Sequence, residues 1–380
     1  MKRRIKKNHA LHNARPVIID IVDLSRGGAG FGRDENGRAV FVPYTMPGDQ
    51  VKVKITKAKS KFAEGYALEI LKPSEQRIEA KCEVFGRCGG CQWQHIPYSQ
   101  QWQTKKQGVL NALSLNKTNI TCNIDEFPAE HPWHYRNRVQ LRGNINEIGF
   151  FESLSNKIVN IQHCPITHPT INTEIPVLLE QGKQFRKPYK VEVNLTVDGK
   201  VEAIWNDEHA SSGFRQVNDE QNEKLKNWIN EHIPDDIPVL DLYGGSGNLS
   251  KPFMSDVPEI HCVDLSVPDN SLAPAKHFHF HKSSVASWLE KQVSSKSIET
   301  NEWTALLDPP RDALAKDGEA IVSALKKLKV NTIIFVGCKT DPWSRDLSIM
   351  IKQGWKLKHL AVFDFFPQTY HVESAAVLTR

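Results

Sequence analysis

The sequence predicts an α/β protein with all-β appendages, and three observations carry that prediction. Four apolar segments beyond residue 219, VLDLYGGSG, EIHCVDL, WTALLDPP and NTIIFVGC, are spaced widely enough for crossover helices. That rhythm is the mark of a parallel, doubly wound sheet. Residues 16 to 72 and 132 to 206 instead alternate apolar and polar with period two, as half-buried strands do. Finally, 380 residues with 39% hydrophobic content exceed one ordinary domain and supply apolar side chains for two or three cores.

Taken in order, residues 1 to 15 are expected to be a basic, disordered N-terminus, and residues 16 to 73 a small all-β barrel punctuated by RGGAGFGRDENGR and PGD. Residues 1 to 72 hold fifteen Lys/Arg against seven Asp/Glu, a balance of +8 within a chain of net charge +5, so the remainder sums to −3. A basic front end on a near-neutral body fits a phosphate-tracking module attached to an enzyme. Alternation in KVKITKAKSK is expected to place several of Lys52, Lys54, Lys57, Lys59 and Lys61 on one face. No apolar stretch approaches the ~20 residues that span a bilayer, and no apolar segment follows the basic start. The expectation is a soluble, cytoplasmic protein with no membrane partner, monomeric.

Residues 74 to 218 read as a central antiparallel domain, with a short helix over 96 to 112. Seven cysteines is an odd count without a secretion signal, so a disulfide framework is not expected. Cys82-x5-Cys88-x2-Cys91, followed by Cys164, supplies four thiolates, and Gly89 and Gly90 leave the backbone free to wrap a site. Four cysteines suit either zinc or a cubane iron-sulfur cluster. Cys122 and Cys262 lie in no motif and read as buried filler.

Residues 219 to 380 read as a Rossmann-like nucleotide-binding domain opened by the helical DEQNEKLKNWINEHI. Gly244, Gly245 and Gly247 stand at a strand end, where glycine lets a ligand approach the backbone. Twenty residues past Gly244, Asp264 ends the next strand, where a carboxylate can accept from ribose hydroxyls. The full G-x-G-x-x-G spacing and a Walker lysine are missing, which favours S-adenosylmethionine over NAD or ATP. Asp308 in LLDPPR and Cys338 in IIFVGC end two further strands and are expected to face the cofactor's reacting group.

In order along the chain, these residues resemble the family of RNA uracil-5 methyltransferases, which make 5-methyluridine in ribosomal or transfer RNA. Residues 16 to 72 resemble its TRAM domain, an OB-like RNA-binding barrel, and CEVFGRCGGCQWQH resembles its iron-sulfur segment. WHYRNRVQL, GFFES…KIVNIQHCPI, FRQVN, DLYGGSGNLS, LLDPPR, GCKTDP and PQTYHVES follow in the family's order. The resemblance implies Cys338 as nucleophile, Glu373 as general base, and Gln216, Tyr243 and Asp264 as cofactor contacts, with Asp308 beside the reacting base. It implies a [4Fe-4S] cluster on Cys82, Cys88, Cys91 and Cys164, of structural or RNA-positioning role. The barrel and cluster together point to the ribosomal branch and 23S rRNA as partner, with a tRNA methyltransferase or a catalytically lapsed RNA-binding protein as alternatives. Three departures stand out. Gly337, Lys339 and Thr340 surround Cys338 where the family has Ser, Asn and Pro, Ala313 replaces a glycine after DPPR, and the segment after Asp264 is short. Lys339 beside the thiol is placed to lower its pKa.

Overall fold

A computed structural model describes residues 15–196, 198–206, 215–295 and 302–380. The expected disordered start therefore lies, but for Arg15, outside the described residues.

The front barrel has six strands: β1 (Val17–Asp20), β2 (Asp23–Leu24), β3 (Gly30–Arg33), β4 (Ala39–Val42), β5 (Gln50–Ala58) and β6 (Phe62–Lys72), ordered β1-β5-β6-β4-β3-β2. The two edge strands are consecutive in sequence, so the chain itself joins the sheet's edges. At the join, the Ile21 N–H donates to Asp49 O at 2.8 Å and the Val22 N–H to Phe31 O at 2.9 Å. Closure brings β1 hard against β3, where a Cβ on Gly32 would stand 2.1 Å from Asp20 O; only glycine fits there. Ile19, Val40, Val51 and Val53 fill the interior.

Between the barrel and the central sheet lie the helix α1 (Tyr98–Leu115) and the strand β7 (Ile124–Phe127). Here the structure corrects the sequence reading, which assigned both to a central domain of residues 74 to 218. β7 pairs in parallel with β18 (Lys356–Phe363) at the edge of the C-terminal sheet, and α1 buries Trp102, Val109 and Leu113 on that sheet's face. The apolar stripe of α1 is buried on the C-terminal sheet, beside the strand that β7 joins.

The central sheet has five antiparallel strands, ordered β10-β9-β8-β11-β12: β8 (Arg138–Gly143), β9 (Ile148–Phe151), β10 (Ile158–Asn160), β11 (Tyr189–Leu195) and β12 (Val201–Trp205). The helix α2 (Pro169–Gly182) covers one face through Ile171, Ile175 and Leu178, packed on Val139, Leu141, Val191 and Val193.

The C-terminal sheet has eight strands, ordered β15-β14-β13-β16-β17-β19-β18-β7. β13 (Val239–Leu242), β14 (Ile260–Asp264), β15 (Phe278–Lys282), β16 (Trp303–Leu307) and β17 (Val330–Gly337) run parallel. β19 (Glu373–Thr379) runs antiparallel between β17 and β18, so the sheet is not wholly parallel as the spacing predicts. Side chains alternate between two cores. Leu240, Ala305, Phe335 and Ala376 face α1, α4 (Val285–Ser295), α5 (Gly318–Lys327) and α6 (Thr340–Lys352). Leu306, Ile334, Val336 and Ala375 face α3 (Asp219–Asn230). Strands buried on both faces are continuous apolar runs for this reason. No helix among the described residues is long and apolar enough to cross a membrane.

Candidate active site and cysteine cavity

Parallel strands deliver their carboxyl ends to one edge of the sheet, and a reversed strand delivers its beginning there. Gly337 at the end of β17 stands opposite Ser374 in β19, so the next residue, Cys338, is level with Glu373, the first residue of β19. β16 ends one residue before Asp308, whose N–H donates to Leu242 O at 3.3 Å and ties it to the end of β13. Cys338, Asp308 and Glu373 are therefore gathered on one edge with Arg311 beside them; the sequence reading put Asp308 and Cys338 at such an edge, and Glu373 joins them through β19.

Burial is the main influence on all three. It pushes the Cys338 thiol up to about 12, helped by Glu373 and Asp308, while Arg311 pulls the other way. Asp308 meets solvent along part of its side chain but is ringed by protein. Burial, then Asp241, raises its carboxyl to about 7. Glu373 is 2% exposed and is held well above the ordinary carboxylate range by burial and by Asp308. Such a set of buried acids is the environment of proton-handling groups. Lys339 corrects one expectation: its Nζ lies 3.7 Å from Asp312 at an exposed surface, and it is not what acts on the thiol. Arg311, quoted within LLDPPR but given no role, is the cation that does.

The glycine loop after β13 turns by left-handed residues. Tyr243 has φ +66°, Gly245 +55° and Gly247 +78°. A bulky non-glycine in that region is a strained position of the kind that clusters at ligand sites. Beneath the loop lies Asp241, 1% exposed; a Cβ on Gly244 would stand 2.4 Å from its carboxyl. Asp241 accepts from the Ser250 hydroxyl, its Oδ1 has no partner among the described residues, and burial raises it to about 6. The sequence reading missed it, although an acid inside the apolar run VLDL was a visible signal. Asp264 ends β14 on the neighbouring strand and accepts from the Ser266 N–H at 2.8 Å. Gln216, 6% exposed, enters from the junction with the central sheet, where its carbonyl accepts from Asn137 Nδ2 at 3.0 Å. Asn248, also missed, pairs its amide with that of Asn222 across the loop at 3.0 Å.

Cys82, Cys88, Cys91 and Cys164 line one small cavity with Arg136 and His163. The cysteine loop is pinned to β9: the Gly89 N–H donates to Phe151 O at 3.0 Å, and Cys88 bridges Glu152. Burial pushes Cys88 up to about 11 and Cys91 to about 12, and each is raised further by Cys164. Four thiols converging in one cavity fit a thiolate-bound metal group. Zinc and an iron-sulfur cluster are both bound by such a set of thiolates. Arg136 supplies a cation, and its buried Nε has no hydrogen-bond partner among the described residues.

On the barrel, Phe31, Phe41 and Phe62 form a strip of rings 5.8 and 6.2 Å apart, with Lys59 Nζ 5.1 Å from the centre of the Phe62 ring. Lys57 is bound to Glu64 at 2.7 Å, so the expected lysine row is partly neutralised.

Comparison with known proteins decides the family. The chain is 32% identical to an uncharacterized RNA methyltransferase of Bdellovibrio bacteriovorus, over 95% of this chain and 94% of that one. The family models for the TRAM domain and for tRNA (Uracil-5-)-methyltransferase match residues 16–68 and 290–380. The chain belongs to the RNA uracil-5-methyltransferase family. As a member it is an enzyme that methylates uracil C5 in RNA with S-adenosylmethionine. A 23S rRNA (uracil(1939)-C(5))-methyltransferase of Erwinia tasmaniensis is 27% identical over 96% of both chains. The crystal structure of the Pyrococcus abyssi tRNA (uracil-54, C5)-methyltransferase with S-adenosyl-L-homocysteine shares the fold, with TM-score 0.71 and 19% identity, over 97% of this chain and 100% of that one.

Proposed function

We propose that this uracil-5 methyltransferase acts on 23S rRNA through a covalent bond between Cys338 and uracil C6. The observation that carries the chemistry is the antiparallel register of β17 and β19, with the thiol level with Glu373 at the strand ends. Uracil C5 is a weak nucleophile. Addition of the Cys338 thiolate at C6 makes an enolate, and C5 then displaces the methyl group from the cofactor's sulfonium. Glu373 takes the C5 proton, and elimination returns the thiolate and the C5–C6 double bond. The net change is a methyl for a proton. Arg311 and Asp308 set the charge around the thiol. Gln216, Tyr243, Gly244, Gly245 and Asp264 hold the cofactor, over the buried Asp241.

Cys82, Cys88, Cys91 and Cys164 hold a [4Fe-4S] cluster in this reading. The cluster supplies no electron to methyl transfer. Its ligands tie residues 82 to 91 and 164 together and so fix β9 against them.

The ribosomal RNA is favoured by the similarity to rRNA enzymes across nearly the whole chain. A fission-yeast tRNA (uracil(54)-C(5))-methyltransferase is 26% identical over all of this chain and 81% of that one, which keeps the tRNA reading in play. The barrel does not choose between them, because the Pyrococcus tRNA enzyme is matched end to end. Mass spectrometry of 23S rRNA and tRNA from a deletion strain tests the choice; loss of 5-methyluridine from tRNA alone refutes the ribosomal assignment. For the chemistry, Glu373→Gln is expected to accumulate a denaturation-resistant protein–RNA adduct through Cys338. If neither that variant nor 5-fluorouridine RNA with the wild type yields one, the covalent route is wrong.

A further inference from the structure

A cavity of about 360 Å³ lies where the barrel meets the methyltransferase module, and the chemistry above gives it no task. One wall is the barrel turn at Asp23 and Arg26; the other is a stripe of α1 with Gln103, Gln107 and Asn111, which follow one another at helical spacing of four. The far end is closed by Thr340, two residues past Cys338, and by Val372, immediately before Glu373. The space therefore adjoins both loops that carry the reacting side chains.

Its walls are held from both sides. Arg26 Nη2 lies 3.1 Å from Asp341 Oδ1 at the start of α6, and Trp93 Nε1 donates to Gly28 O at 2.8 Å. Gly28 lies so close to the Tyr370 ring that a Cβ would stand 2.5 Å from it. The charges are already matched: Arg26 by Asp341, and the buried Lys105 by Asp364 at 2.6 Å. What remains towards the cavity is a row of neutral amides, one carboxylate and the half-exposed ring of Tyr370; Gln107 Nε2 donates to Asn111 Oδ1 at 2.8 Å, and the pair's other donors and acceptors are left for a base edge.

A phosphate site needs unmatched cations; a nucleobase needs a ring to stack on and donors and acceptors for its edge. The volume is at the lower end of small-ligand pockets, ~300–1,000 Å³. We propose that this cavity takes one unstacked nucleobase of the RNA, a near neighbour in sequence of the methylated uridine, and that Gln107 and Asn111 read its edge while Tyr370 stacks on it. Enzymes that draw a target base out of its stack set their sequence context through contacts to the flanking nucleotides, and a second pocket beside the first makes such a contact. The proposal rests on the uracil-methylation reading.

The test uses the full-length protein and a short synthetic RNA spanning the uridine mapped as methylated in rRNA. A series of these RNAs is made with an abasic residue at each of the three positions on either side of that uridine. One abasic position is expected to lower wild-type kcat/KM about tenfold. The variant Gln107→Ala/Asn111→Ala is expected to be lower by a similar factor on intact RNA and to lose little more at that position. Both side chains are exposed, so an unchanged melting temperature is expected and separates the effect from misfolding. A variant equal to wild type on intact RNA, or one that loses as much as wild type at every abasic position, overturns the pocket and leaves methylation standing. A wild type that methylates no RNA overturns both.

Discussion

The strand-end group of Cys338, Asp308 and Glu373 and the cavity of Cys82, Cys88, Cys91 and Cys164 are built by the same device and differ in what relieves it. In both, burial holds acidic groups in their protonated forms, and neighbouring acids push them further. Each has one arginine at hand, Arg311 or Arg136. The cysteines sit on a loop and a turn pinned to one strand, and in the proposed function a metal group would supply the permanent positive charge that relieves their strain. The proposed catalytic acids sit at strand ends, and in the proposed function a cationic cofactor would relieve their strain only while it is bound. One site is therefore made for holding and the other for exchanging protons.

The contrast breaks most visibly under single substitutions. Cys338→Ala is expected to lower methyl transfer at least ~10³-fold while cofactor affinity and the melting temperature stay near wild type. Cys88→Ser is expected to do the reverse: the anaerobically purified protein loses iron and melts at a lower temperature, because metal binding is folding free energy at such sites. Iron analysis and thermal melts of the two variants check this. Equal melting temperatures would mean that the cysteine cavity carries no such load.

The contrast is sharpened by thiol reactivity. With its pKa pushed up to about 12, Cys338 is almost wholly protonated at pH 8, and its alkylation by iodoacetamide is expected to be slow and to rise about tenfold per pH unit. S-adenosylmethionine brings a positive sulfonium to the strand ends, whereas S-adenosylhomocysteine does not. The first is therefore expected to speed labelling of Cys338 about tenfold over the second, with mass spectrometry reporting the site. Equal rates would sink the idea that the cofactor's charge prepares the nucleophile.

Much of this was legible in the sequence because the residues proposed to be catalytic sit beside apolar runs. VGC and LLD announce strand ends, and the glycines after VLDLY announce a tight turn. What was not legible came from pairing between distant segments. That Glu373 opens a reversed strand follows only from the register of β19 with β17. The assignment of α1 and β7 to the C-terminal sheet depends on the strand Lys356–Phe363, which takes β7 as its second neighbour and whose pattern alone does not say so. Lys339 misled because adjacency in sequence is not adjacency in space: beyond a strand end the chain turns, and its side chain departs toward Asp312. Cys164 was grouped with the other three cysteines as a fourth thiolate, but its distance along the chain carries no spacing signal, and the choice of an iron-sulfur cluster rested on the family resemblance.

Asp308→Asn gives a smaller effect, of opposite sign in stability and activity. With its folded pKa raised from 3.8 to about 7, Asp308 binds its proton more tightly in the native state than in the unfolded chain. No penalty exists below about pH 4; it grows as the unfolded carboxyl ionises and is complete above about pH 7. The amide, neutral throughout, is expected to raise the melting temperature by a few degrees at pH 8 and by nothing at pH 4, while methyl transfer falls. A pH-independent gain would point to packing and not to charge.

The smallest expected effect concerns Ala313, which stands where the family has glycine after DPPR. Its φ is +54°, so the chain keeps the left-handed turn while losing the residue that adopts it freely. Left-handed backbone costs a residue with a Cβ ~1–2 kcal/mol, and glycine gives back part of the difference through the greater freedom of its unfolded chain. The Ala313 methyl group also packs at the edge of the core that holds Leu314, a contact that glycine lacks. Ala313→Gly is therefore expected to stabilise by only about 0.5 kcal/mol, measured by denaturant midpoint at constant slope. Because the turn follows Arg311 by two residues, the same substitution is expected to leave the position of that guanidinium, and so the rate of methyl transfer, within about twofold of wild type. A destabilised variant would show that the methyl contact outweighs the backbone strain, and that this chain has adapted its core to the missing glycine.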